Sequence, residues 1–127
     1  MADEPITITR NGEGEPITAA WGSLRWICND RIDARAEQTF GLVTILPGQQ
    51  NPLHYHPNCE ELLYVLEGQC DHRYGDRTVQ LSTGDLIRVP SGVHHNARNT
   101  GSEPLRLVVS FSSGDRQTVM VEEPDRC

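Results

Sequence analysis

The chain contains no lysine: its 11 basic residues are all arginine, against 18 acidic ones, for a formal net charge of −7. That absence removes Schiff-base catalysis, a pyridoxal-phosphate anchor and a phosphate-loop lysine. No basic run is interleaved with aromatics, and a net negative surface repels phosphate backbones, so no nucleic-acid partner is expected. No apolar stretch approaches the roughly 18–20 residues that span a bilayer. The first residues, Met-Ala-Asp-Glu-Pro, lack the basic and apolar parts of a signal peptide. The expected setting is the cytoplasm, with no membrane partner. Four cysteines (Cys28, Cys59, Cys70, Cys127) show no CxxC spacing; they are too sparse for a disulfide scaffold and read as reduced thiols.

What remains is a chain of 127 residues, the size of one domain. A domain of that length buries enough surface to fold without metal or disulfide staples, so a metal site in it would be functional. Gly and Pro punctuate it every eight to twelve residues, between short segments rich in β-branched, aliphatic and aromatic residues, which reads as an all-β sandwich or barrel. Strands are expected at 6–9, 24–28, 39–46, 52–56, 62–67, 70–74, 78–81, 86–89, 94–99, 105–112 and 118–121. Residues 33–38 make at most a helical turn. Pro47-Gly48 suits a type II turn, Gly75-Asp76 a tight hairpin, and 83–85 and 99–101 are turn clusters. The packed body is expected from Trp21 to Ser112, after a loose polar arm reaching Glu15-Pro16. The excess acid lies mostly in the two ends.

Four of the five histidines fall into two short segments: His54 and His56, then His94 and His95. In a strand, alternate side chains share a face, so His54 and His56 form a two-imidazole clamp with Tyr55 opposite. Glu60 and Glu61 cannot both face inward. If Glu61 does, Leu63 and Val65 share its face, and a buried carboxylate there needs a compensating charge such as a metal ion. His94 and His95 pose the same choice. Three imidazoles and a carboxylate suit Fe(II), Mn, Ni, Co or Zn, with no thiolate to favour a closed structural zinc site.

These residues resemble the two signature motifs of the cupin family. The first motif, G-x5-H-x-H-x3,4-E-x6-G, is matched by Gly48, His54, His56, Glu61 and Gly68, and its last gap selects Glu61 over Glu60. The second, G-x5-P-x-G-x2-H-x3-N, is matched by Gly84, Pro90, Gly92, His95 and Asn99, and selects His95 over His94. The resemblance spans about two-fifths of the chain. It implies a double-stranded β-helix, a jelly-roll barrel of one domain, with one divalent transition metal ion held by His54, His56, Glu61 and His95. It also implies a homodimer, often with an exchanged N-terminal strand. The expected division is an arm or swapped strand at 1–20, the barrel at 21–113, and a C-terminal strand with an acidic tail at 114–127.

Four protein ligands on a six-coordinate ion leave two open positions. The first expectation is therefore an isomerase, epimerase or lyase acting on a small polar, sugar-like substrate with adjacent hydroxyl and carbonyl or carboxylate oxygens. The alternatives are an Fe, Mn or Ni dioxygenase and a non-catalytic module for a small ligand. His72 and Tyr74 are candidate proton carriers, although a satisfied or partly exposed His72 is the plainer reading. Arg88 is a candidate for a substrate carboxylate. Tyr64 is expected on the outer face. Trp21, Trp26 and Phe40 are expected in the core or a dimer interface, and Cys59 as an incidental loop cysteine. Asn99 is read as a hydrogen-bonding turn residue.

Overall fold

Alternation of side chains builds the central strands. In the computed structural model, which describes residues 4–122, Thr39–Ile45 (β3), Glu61–Glu67 (β5) and Leu105–Phe111 (β10) bury alternate residues. The other strands are Glu15–Ala19 (β1), Gly22–Cys28 (β2), His54–Tyr55 (β4), Gln69–Tyr74 (β6), Arg77–Ser82 (β7), Leu86–Val89 (β8), His95–Asn99 (β9) and Val119–Met120 (β11). They form two antiparallel sheets in the orders β1-β2-β3-β10-β5-β8 and β11-β4-β9-β6-β7. This is the all-β jelly-roll barrel expected from the sequence. The described residues contain no helix, and hence none long and apolar enough to cross a membrane.

Register places the core in rows across the larger sheet. Leu107 lies opposite both Val43 and Val65, and Val109 opposite both Gly41 and Leu63. One row further along, Glu61 has Phe111 on one side and Val89 on the other, so a carboxylate occupies an apolar row. Gly41 has its own reason. A Cβ there would lie 2.5 Å from Cε3 of Trp26, so glycine is what admits the buried Trp26 ring to this face.

The joints follow turn chemistry. Gly48 has φ of 75°, and Gln49 N–H donates to Leu46 O at 3.0 Å, which closes the expected type II turn. Gly75-Asp76 joins β6 to β7, with Tyr74 opposite Arg77. Asn99 is the expected turn residue: Nδ2 donates to Ile45 O and Glu103 O, and Oδ1 accepts from Gly101 N–H.

The N-terminal region departs from the sequence expectation. Residues 6–9 are not a strand; Thr9 Oγ1 donates to Ile27 O at 2.8 Å, while Ile6 and Ile8 stay exposed. The first strand is instead β1, which pairs with β2 of its own chain. Pro16 masked it, because a proline inside a short polar run argues against a strand. At the sheet edge, where β1 lies, its missing N–H is tolerated. The expected strand at 52–56 contracts to two residues, and the one at 118–121 likewise. The acidic tail from Glu123 onward, with Cys127, lies outside the described residues.

Candidate metal centre

His54, on β4, stands directly opposite His95, the first residue of β9. His56 follows β4, and Glu61 opens β5 on the other sheet. All four side chains are buried, Glu61 to 4% exposure. Parity separates the neighbours. Glu60 turns outward to Arg88, and His94 is exposed with its ring stacked on Tyr55 at 4.9 Å between centroids. The ligating atoms of His54, His56, Glu61 and His95 all lie within 4.8 Å of one another.

Hydrogen bonding fixes the tautomers. Each Nδ1 faces a main-chain carbonyl: Pro52 O at 2.7 Å for His54, Gln117 O at 2.9 Å for His56 and Val93 O at 2.8 Å for His95. A carbonyl only accepts, so each Nδ1 carries a proton and donates it. The Nε2 atoms are left to face a common centre with the carboxylate. Glu61 Oε1 is 2.8 Å from His95 Nε2 and 3.4 Å from His56 Nε2, and the latter nitrogen has no hydrogen-bond partner. This is a cluster of acceptors whose other ring nitrogens are already committed, the arrangement that orients histidines on a metal. Four N and O donors with no sulfur fit one divalent transition ion.

The electrostatics agree with a site built for positive charge. Burial pushes the His54 imidazole down to about 4, helped by the neighbouring His95. For His95, burial works against protonation, but the hydrogen bond and charge of Glu61 prevail and raise it. Burial likewise works to raise Glu61, yet His56 and His95 beside it hold its carboxyl well below the usual carboxylate range.

His54, Glu61 and His95 form one side of a cavity of about 80 Å³, whose other walls are mainly apolar: Trp21, Trp26, Leu63, Leu107 and Phe111 among them. His72 lines it too and is fully buried, its ring nearly parallel to that of His95 at 5.9 Å. Neither of its nitrogens has a hydrogen-bond partner. The plainer expectation of a satisfied or partly exposed His72 therefore fails. Its β6 neighbours present Ala97 and Val79 opposite it, so the adjoining strands bring no polar side chain in register.

Other candidates lie elsewhere. Arg88 is on the outer face, its side chain 60% exposed and 2.7 Å from Glu60, because Ile87 and Val89 take the inward positions on β8. Tyr74 lines a separate shallow pocket with Arg77, Val79 and Ile87. Tyr64 is on the outer face as expected. Cys59 is no loop bystander but part of the buried core, and burial raises its thiol. Sequence reasoning missed Arg116, which lines the cavity with its guanidinium 4.6 Å from the centroid of Trp26 and 5.0 Å from that of Phe111. A lone arginine between a polar turn and a short strand carries no sequence signal of that placement.

A cupin-domain family model matches residues 41–111, which contain all four clustered residues. The chain is 31% identical over 100 residues to the polyketide synthase CurC of Streptomyces cyaneus, covering 79% of this chain and 65% of that protein. It is 32% identical over 91 residues to the tetracenomycin polyketide synthase protein TcmJ of Streptomyces glaucescens, covering 72% and 61%. The structure of an E162A mutant of the oxalate decarboxylase OxdC from Bacillus subtilis superposes with a TM-score of 0.78 at 27% identity, covering 84% of this chain and 30% of that one. The chain thus spans just under two-thirds of the length of those two polyketide synthase proteins and less than a third of the decarboxylase. The match falls on the same strands that bring the histidines and Glu61 together, and the protein belongs to the cupin family.

Proposed function

We propose that the protein is a metal-dependent enzyme acting on a small molecule with two neighbouring oxygens, and that its chemistry is proton transfer at the carbon beside them. The observation that carries this reading is the convergence of four buried donors, three of which, His54, Glu61 and His95, line a cavity. His54, His56, Glu61 and His95 would hold the ion. When bound, such an ion supplies Lewis-acid stabilisation of negative charge developing on a substrate oxygen. An ion of the Mn(II) type fits the donor set, and the similar B. subtilis oxalate decarboxylase has Mn(II) centres.

His72 would move the proton. Burial, then the nearby His95, push its imidazole down to about 4, so it is neutral at pH 7 with one nitrogen free to accept and the other to donate. The mainly apolar walls beyond the metal cluster suit a substrate with an alkyl or aromatic body. That differs from the sugar-like substrate expected from sequence, and it accords with the names of the polyketide synthase relatives. The test is exchange at Cα of mandelate in D2O, followed by NMR with protein reconstituted with Mn(II), Fe(II) or Zn(II). Exchange that needs both the metal and His72 is expected. Turnover that occurs only with O2 would instead make the protein a dioxygenase.

We also propose a homodimer. The outer face of the larger sheet carries a cross-strand row of Leu42, Val108, Tyr64 and Leu86, each in register with the next on β3, β10, β5 and β8. Phe40 and Leu62 extend the exposed apolar area on the same face. Contiguous patches of this kind mark association surfaces.

A further inference from the structure

We propose that Arg116 is the anchor for a carboxylate group, so that the cavity takes an anionic, apolar-bodied molecule. The inference rests on reading the cavity as a substrate site. Arg116 is largely withdrawn from solvent between Trp26 and Phe111, and its Nε is buried without a hydrogen-bond partner. Among the described residues no ion pair or hydrogen bond engages its guanidinium, and Glu61, the carboxylate of the same cavity, is taken up by His56 and His95. A planar cation held against two aromatic rings keeps its edge available for a bidentate partner.

Its position is built rather than incidental. The side chain of Asn58 spans the peptide units on either side of Arg116: Nδ2 donates to Asp115 O at 2.7 Å, and Oδ1 accepts from Gln117 N–H at 2.9 Å. Gln117 O in turn accepts from His56 Nδ1. One short segment therefore orients a histidine of the candidate metal centre and presents the guanidinium to the same cavity. Asn58 is a positioning residue, and Trp26, seated against Gly41, is the platform.

The two tryptophans of the chain, Trp21 and Trp26, both line this cavity, so intrinsic fluorescence reports on its occupancy. The probes are phenylacetate and its neutral isostere phenylacetamide, titrated into the full chain in metal-loaded and metal-stripped forms. Wild-type protein is expected to prefer the carboxylate by about tenfold or more in both forms. R116M, which keeps an apolar stem on the rings, is expected to abolish the preference in the metal-stripped form and reduce it in the metal-loaded form, with metal uptake unchanged. R116K keeps the charge but not the planar fork and is expected to retain only part of it; N58A is expected to weaken it severalfold with the guanidinium intact. Equal binding of the two probes by wild type, or a preference undiminished in R116M or R116K, overturns the proposal. Metal uptake is measured separately, so a preference that persists in protein unable to take up metal would sink the metal reading and leave the anion site standing.

Discussion

His72 and His95 lie with their rings 14° from parallel and 5.9 Å apart, yet only His95 has hydrogen-bond partners. Leaving buried polar atoms unpaired costs about 1–3 kcal/mol. His72, an imidazole buried without a protein partner in a cavity wall, can both cost fold stability and serve function.

Replacing it with leucine separates the two roles. H72L is expected to unfold at higher denaturant concentration, by about 1 kcal/mol in free energy, because the orphaned nitrogens disappear while the volume is kept. Metal-dependent exchange of mandelate is expected to fall by about 10²-fold or more, the typical contribution of a positioned acid or base. Denaturant titration and NMR exchange check the pair. A variant that is less stable and equally active would show His72 to be a structural residue.

Glu61 gives the complementary case. In E61Q the carboxylate that anchors the cluster becomes an amide, and metal content is expected to drop well below that of wild type. Saturating metal at about 1,000 times its Kd would stabilise wild type by about 4 kcal/mol through binding to the folded state alone. Thermal unfolding with and without Mn(II) should show that increment in wild type and lose most of it in E61Q.

The thiols differ by burial. Burial, with Asp71 and Asp85 nearby, pushes the Cys70 thiol up to about 11, and only 1% of the residue is exposed. Alkylation mapped by mass spectrometry at pH 8 is expected to label the half-buried Cys28 in the native protein, and Cys70 only after unfolding. Rapid native labelling of Cys70 would show that this part of the barrel opens.

Tyr64 stands in the middle of the outer apolar row, between Val108 and Leu86. Y64R is expected to convert a dimer to a monomer in sedimentation equilibrium, with metal content unchanged, because Glu61 faces the opposite side of the same strand. A wild-type monomer would refute the proposed assembly.

Strand alternation made the barrel legible in the sequence, since Leu63, Val65, Leu107 and Val109 repeat on one face with polar or outer residues between them. The clustering of His54, His56, Glu61 and His95 was legible for the same reason, helped by motif spacing that chose between adjacent candidates. Other features were not. Strand β1 was hidden by Pro16, whose cost depends on whether the strand is at an edge, a property of the sheet and not of the segment. Where the candidates Arg88 and Tyr74 point was not legible, because parity on β8 and the end of β6 is set by packing partners far along the chain. Arg116 was invisible because its placement depends on Asn58, 58 residues earlier, and on the Trp26 ring beneath it.

The most direct measurement is elemental analysis of the full chain purified without chelators, before and after incubation with Mn(II), Fe(II) and Zn(II), beside a variant lacking His95 and Glu61. The expected result is close to one divalent transition ion per chain in wild type and none in the variant. No transition metal in wild type, and no uptake of any of the three, would contradict the central claim.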